Sequence, residues 1–175
     1  MANMVLVGKR NKTNGALFEK WISSSCEYYL EEGIAFIEKT PEPFHITSKS
    51  SDGVVSGYYA KAGQPDYKGI LFGGKGIMFE AKHTDTSQIK QNAVTDKQAE
   101  ELDIYHRFGA YCFVIVSMGF ESFYRVPWPV WRNMKELYGH KHMTLDDLAP
   151  FELEATIERI DFLDDIENME KEIKK

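Results

Sequence analysis

The chain has 175 residues and a mass of 20.1 kDa, which is the size of one compact domain. With 43% hydrophobic and 27% charged residues, it is expected to bury a core, which excludes an intrinsically disordered protein. The formal net charge of −6 comes from residues 146–175, which carry 4 Lys/Arg against 11 Asp/Glu, whereas residues 1–145 carry 17 against 16.

The sequence carries no signal for export or membrane insertion. No apolar run approaches the roughly 20 residues of a membrane-spanning helix. The apolar stretch at residues 4–7 is too short for a signal peptide. The two cysteines, Cys26 and Cys112, exclude a disulfide framework and a zinc knuckle. We therefore expect a cytoplasmic protein with no membrane partner.

The first half of the chain is predicted to contain one helix and five short strands. The helix begins at Asn14, whose side chain can cap it, and ends at Gly33. The turn residues Asp52-Gly53 and the glycine-rich residues 73–76 join the last four strands into two hairpins. The strands are predicted at residues 34–37, 44–46, 54–59, 67–72 and 77–81.

The second half is predicted to alternate between helices and strands. Thr95 can cap a helix that reaches Phe108, and the apolar residues 111–117 are typical of a buried strand. A paired strand at residues 120–126 and a short helix at residues 130–138 follow. The element order predicts an α/β fold in which helices flank a mixed β-sheet.

The acidic residues 146–175 are predicted to form a helical segment beyond a main domain at residues 1–145. Apolar residues recur there at helical spacing with acidic residues on the other face. They are Phe151, Ile157, Ile160, Leu163 and Ile166.

Three residues on the second hairpin form the pattern that indicates chemistry. Side chains alternate across a strand, so Glu80 and Lys82 share one face, and the hairpin brings Asp66 beside them. Two carboxylates at one sheet edge suit Mg²⁺, which prefers oxygen ligands. Such a metal activates water, and an adjacent ammonium orients that water and stabilises charge on a phosphodiester. Taken alone, the pattern also fits a surface hairpin with an ordinary Glu–Lys pair.

These residues resemble the PD-(D/E)xK nucleases, and within that superfamily the chain is similar to the RecU-type Holliday junction resolvases of Gram-positive bacteria and some of their phages. The resemblance extends in order from about residue 9 to 130. It includes residues 14–19, Tyr28-Tyr29, residues 33–37, 39–43, 65–69 and 79–82, Gln98 and residues 112–116.

The resemblance implies a restriction-endonuclease-like fold with a hairpin projecting at about residues 44–60. It implies a homodimeric, Mg²⁺- or Mn²⁺-dependent endonuclease that cuts four-way DNA junctions symmetrically and leaves 5′-phosphates. By this resemblance Asp66, Glu80 and Gln98 are metal ligands, and Lys82 is the catalytic lysine. The family's threonine ligand is replaced here by Gln64, whose carbonyl oxygen is a further candidate ligand.

Cations at two places are candidate DNA contacts. Lys9, Arg10 and Lys12 are expected to bind phosphates from an N-terminal arm, or else to lie on a frayed, solvated terminus. The segment between Pro43 and Gln64, which contains the projecting hairpin, offers Lys49 and Lys61 to a junction but few other cations.

Two other functions remain open at this stage, and two further residues, His83 and Glu19, are interpreted as lying outside the catalytic set. The chain fits a related nuclease acting on duplex or flap DNA, or a recombination factor that binds DNA without cutting it. His83 points away from Lys82 and is interpreted as structural or exposed, and Glu19 as complementing the helix dipole.

Overall fold

The computed structural model describes residues 2–41, 44–59 and 63–169, with side chains from residue 13 onwards except at residues 58 and 59. Its helices are α1 (Ala2–Glu31), α2 (Asp96–Arg107), α3 (Trp128–Arg132), α4 (Met134–Tyr138) and α5 (Leu145–Leu148). Its strands are β1 (Ala35–Lys39), β2 (Phe44–Lys49), β3 (Val55–Tyr59), β4 (Tyr67–Leu71), β5 (Gly76–Thr84), β6 (Gln88–Lys90), β7 (Tyr111–Met118), β8 (Ser122–Pro127) and β9 (His142–Thr144).

The main sheet is mixed, as predicted, and helices flank it on both faces. Its five strands lie in the order β1-β4-β5-β7-β8. Strands β5 and β7 pair in parallel, while the other three pairings are antiparallel. The parallel pairing requires a crossover, which α2 provides between the two strands.

The sheet separates two hydrophobic cores, because alternate side chains of each strand point to opposite faces. One core lies between the sheet and α1, and Ile77 and Phe79 of β5 belong to it. The other lies under α2 and α3, and contains Cys112, Val114 and Val116 of β7.

The hairpin predicted at about residues 44–60 is present as a separate two-stranded sheet. Strands β2 and β3 pair antiparallel and make no ladder with the main sheet. Every residue of β2 is exposed. This exposure agrees with a projecting hairpin.

The prediction that the first helix starts at Asn14 is wrong, because α1 already begins at Ala2. Residues 2–13 contain no proline to interrupt a helix. Asn14 therefore lies inside the helix, and its amide donates to the Asp85 carboxylate at 3.2 Å. The predicted end is correct, since Gly33 takes a φ of +68° directly after the helix.

The prediction that residues 146–175 form a helical segment is also wrong for the described residues that follow α5, which end at 169. This segment consists of turns, isolated bridges and two short 3₁₀ turns. Its apolar residues do not form one helical stripe: Ile157 is 88% exposed, whereas Ile160 is fully buried.

The sequence pattern also failed to indicate the two-stranded β6–β9 ribbon and α5. The helix predicted at residues 130–138 is divided at Asn133 into α3 and α4.

The C-terminal segment completes the core under α1. Four of its contacts are hydrogen bonds to side chains of that helix and of β8. The Ile160 amide donates to Ser25 Oγ at 2.9 Å, and the Leu163 amide donates to the Tyr29 hydroxyl at 3.1 Å. The buried Arg125 guanidinium donates to the carbonyls of Phe162 and Asp164 at 2.8 and 2.6 Å.

None of the helices in the described part of the chain has the length and apolarity to cross a membrane.

Candidate metal centre and active site

Asp66, Glu80 and Lys82 meet at one edge of the main sheet. The pairing of Tyr67 with Phe79 places the residue before β4 beside the C-terminal part of β5. The Lys82 Nζ lies 2.7 Å from Glu80 Oε2 and 3.3 Å from Asp66 Oδ2. The structure thus brings together the three residues that the hairpin pattern selected.

Main-chain groups fix the two carboxylates against each other. The Ala81 amide donates to Asp66 Oδ2 at 3.0 Å. The Asp66 amide donates to Glu80 Oε1 at 3.3 Å. One oxygen of each carboxylate is therefore held by a backbone amide.

Gln98 also reaches this centre, because α2 runs across the same face of the sheet. Its Nε2 donates to Glu80 Oε2 at 2.7 Å. Its Oε1 points away and accepts from the Thr95 amide and hydroxyl at 3.1 and 3.0 Å. Thr95 and Gln98 form a capping box, a signal that the sequence Thr-x-x-Gln contains and that the sequence analysis did not use.

The centre carries an excess of negative charge in a buried place. Glu80 has no exposed surface. Burial raises the pKa of Glu80 to about 8, with the Lys82 ammonium opposing this and the Asp66 carboxylate adding to it. Burial opposes the charged form of Lys82 too, but the two carboxylates outweigh it and raise the pKa of that ammonium. One ammonium cannot balance two ionised carboxylates, so the centre either keeps a proton on Glu80 or takes up a further cation.

The donor set fits a hard divalent cation. Asp66 and Glu80 supply carboxylate oxygens within reach of one atom, and Mg²⁺ is commonly bound by one or two carboxylates with water and substrate phosphate completing its shell. In the described residues no group of three or more His, Cys, Asp or Glu side chains could hold a metal. The fit is therefore to a hydrated ion and not to an all-protein cage.

Gln64 and Glu19 have surroundings of a different kind from those of this centre. Gln64 is exposed, two residues before Asp66. Glu19 on α1 pairs with Lys39 at 2.6 Å, and its backbone carbonyl accepts from the Tyr67 hydroxyl at 3.3 Å. Glu19 therefore does more than complement a helix dipole, because it lies in the interior of α1 and links that helix to β1.

His83 lies on the opposite face of β5 from Lys82, as predicted. Its Nδ1 is 3.0 Å from Ser117 Oγ, and its Nε2 is 3.0 Å from Asp85 Oδ1. Its ring packs 4.4 Å from that of Phe120. These contacts support the structural interpretation of His83.

The predicted DNA contacts are only partly described. Lys49 is exposed on β2. The backbone of Lys9, Arg10 and Lys12 belongs to α1 and not to a frayed arm, but their side chains lie outside the described residues, as does Lys61.

Comparisons with known proteins give consistent matches. The profile of the RecU family, described as Recombination protein U, matches residues 13–168. A protein named Holliday junction resolvase RecU from Bacillus pumilus is 31% identical over 77% of this chain and 69% of its own length. A second protein of that name, from Listeria welshimeri, is 30% identical over 94% of this chain and 86% of its own length. A solved structure of Hjc, a Holliday junction resolvase from Archaeoglobus fulgidus, has a TM-score of 0.48 at 15% identity and covers 78% of this chain and 93% of that one.

Proposed function

Because this chain belongs to the RecU family, we propose that it is a metal-dependent endonuclease that resolves four-way DNA junctions in recombination. The observation that carries the proposal is the Lys82 ammonium, held within hydrogen-bonding distance of both Asp66 and Glu80. A protein that only binds DNA has no use for two carboxylates placed where phosphates approach. Its place of action would be the cytoplasm, where bacterial DNA lies.

The residues of this chain have separate roles in the proposed reaction. Asp66 and Glu80 would hold Mg²⁺ or Mn²⁺, which when bound lowers the pKa of water and neutralises charge on the phosphate. Lys82 donates two N–H groups to Asp66 and Glu80 and has a third with which to orient the attacking water, while its positive charge stabilises the negative charge that grows on the phosphate. The water oxygen bonds to phosphorus as the bond to the 3′-oxygen breaks, which leaves a 5′-phosphate and a 3′-hydroxyl.

Gln98 keeps Glu80 in position in the described arrangement. A ligand role for Gln98, and likewise for Gln64, is part of the proposal. For Gln98 it requires the amide to turn so that Oε1 faces Glu80, which would give up the two hydrogen bonds that Oε1 accepts from Thr95.

Symmetric cutting of two strands requires two active sites related by a two-fold axis, so we propose a homodimer. An exposed apolar patch supports it. Phe36 of β1 and Ile70 of β4 are direct register partners and are 47% and 46% exposed. Phe72, just beyond β4, is 88% exposed. Helix α2 covers β5 and β7 on this face but leaves these side chains open, which suits a contact with a second copy.

The decisive test is cleavage of a synthetic four-way junction, its duplex arms, a flap and a single strand, side by side with Mg²⁺ and with Mn²⁺. We expect paired, symmetric cuts in the junction and slow or no cutting of the other substrates. Equal cutting of duplex or flap would favour a general nuclease. Tight junction binding without cutting under either metal would favour a recombination factor that only binds.

A further inference from the structure

We propose that a cationic groove running from Lys82 to Lys141 binds the phosphates of the DNA strand that leads away from the cleavage site. The proposal rests on the proposed function and adds to it a contact surface outside the catalytic centre. Of the cations predicted from the sequence, the described lining of this groove contains Lys82 and not Lys49.

The groove consists of two cavities that join end to end. The first has a volume of about 660 Å³ and extends from Lys82 past Thr84 and Ser87 to Lys90 and Asn92. The second has a volume of about 440 Å³ and extends from Lys90 and Asn92 to Lys141. The two cavities are neighbours, because both are lined by Lys90 and Asn92, so a strand whose scissile phosphate lies at Lys82 would pass from the first to the second at these residues.

The floor of this path is rigid, because the β6–β9 ribbon is anchored in the second core. Ile89 and Met143 pair across the ribbon and are 4% and 0% exposed. Side chains alternate along a strand, so their neighbour Lys90 points outward, away from the core. The cation is thus presented by a fixed backbone.

Gln91 fixes the walls of the second cavity relative to one another. The backbone amide of Gln91 donates to the Lys141 carbonyl at 3.0 Å. Its side-chain Nε2 donates to the carbonyls of Trp131 and Arg132, both at 2.8 Å. Lys90, Lys141 and α3 are therefore kept at fixed positions relative to one another.

The charges along the groove favour an anion. Lys82 is paired with Asp66 and Glu80, but beyond that centre Lys90, Lys141 and Arg132 line the groove against one acidic residue, Asp96. Arg132 is paired with Asp103 at 3.3 Å. Neither Lys90 nor Lys141 has an ion-pair partner within residues 2–41, 44–59 and 63–169, so both ammonium groups are available to a phosphate.

The groove is built to contact the sugar–phosphate backbone and not the bases. Its two tryptophans, Trp128 and Trp131, are 2% and 1% exposed, so they offer no face on which a base could stack. Their indole N–H groups already donate to Asp103 and to the Gln91 carbonyl. Ammonium, hydroxyl and amide donors remain, which suit phosphate oxygens and carry no sequence information.

The test is the salt dependence of DNA binding by a Lys90→Ala/Lys141→Ala double variant, measured in EDTA on a four-way junction and on its duplex arm. Each phosphate contact to duplex contributes about 0.9 to the slope of log K against log salt, so we expect the slope to become shallower by about 1.8. At low salt the affinity should fall by roughly ten- to a hundredfold on both DNAs. A Lys20→Ala/Lys135→Ala variant, which removes two exposed lysines outside the groove, serves as the matched control and should bind as wild type does.

The outcomes separate this inference from the proposed function. If the double variant keeps the wild-type slope and affinity, the groove is not a DNA path, even where wild type resolves junctions normally. If wild type cuts no junction, the proposed function fails, yet the slope on duplex still decides whether the groove binds DNA. If the wild-type protein binds neither the four-way junction nor the duplex arm, both the groove and the proposed function are contradicted.

Discussion

At the scale of single residues, the centre is held at a cost in stability. The folded-state pKa of Glu80, about 8, lies above its ordinary value of 4.5. A raised pKa means that the folded state favours the protonated acid, so this contribution to stability is fully present below about pH 4.5 and is lost as the pH rises through 8. Without a bound cation, the ionised form of the buried Glu80 is unfavourable at neutral pH, and a divalent cation would stabilise that form.

We therefore predict that Glu80→Gln stabilises the metal-free protein at high pH. The amide keeps the shape of the side chain and removes the buried negative charge, so the free energy of unfolding should rise by on the order of 2 kcal/mol at pH 8. The gain should shrink towards zero near pH 5. Urea denaturation in EDTA at several pH values would measure it, and a gain that does not change with pH would contradict the assignment.

The same residues should separate cutting from binding. Asp66→Asn and Glu80→Gln each remove a proposed metal ligand, so we expect cleavage of junctions to fall by several orders of magnitude while junction affinity in EDTA persists. A Glu136→Gln variant, altered at an exposed carboxylate on α4, is the control and should cut normally. Cleavage retained by both site variants would refute the metal assignment.

The gathering of Asp66, Glu80 and Lys82 could be predicted because it depends only on strand alternation and on one tight hairpin. The orientation of the Gln98 amide could not, since it is set by competition between Glu80 and the capping box of Thr95. The groove cations Lys90 and Lys141 were missed for a related reason. They are far apart in sequence and meet only through the β6–β9 ribbon, whose strands have three residues each.

At the scale of elements, the C-terminal segment is held by specific hydrogen bonds and not by helix formation. The clearest of these involve Arg125, which is 8% exposed and whose guanidinium satisfies two backbone carbonyls. The helical spacing of Phe151, Ile157 and Ile160 predicts a helix that the segment does not form. Each apolar residue is buried or exposed according to the path of the segment, a tertiary effect that periodicity does not contain.

We predict that Arg125→Ala destabilises the whole protein and not only the segment. It would leave the carbonyls of Phe162 and Asp164 without their donors, at a cost of about 2–4 kcal/mol, and loosen a segment that closes the core under α1. The midpoint of thermal unfolding would report the change. The exposed Arg107→Ala is the control and should shift stability by less than about 0.5 kcal/mol. Equal stability of the two variants would show that the segment is only loosely attached.

At the scale of the whole molecule, the open half of the sheet face is the feature that favours self-association. We predict that Phe36→Ser/Ile70→Ser yields a monomer that still binds DNA but no longer cuts both strands of a junction in one event, because two sites are then not held together. Analytical ultracentrifugation would give the oligomeric state. Ile157→Ser, at a more exposed apolar position outside this patch, should remain dimeric. A wild-type protein that is monomeric at micromolar concentration would contradict the homodimer.

The closure of the core by the C-terminal segment also has a consequence for how the protein is made. Ser25 and Tyr29 find their partners at Ile160 and Leu163, 131 to 135 residues later in the chain. Until the ribosome has synthesised those residues, the apolar face of α1 is not fully buried. Residues 160–163 must therefore emerge before this core can close, and contacts so distant in sequence make that step slow. A stalled or truncated translation product would be a substrate for chaperones and not a partly active nuclease.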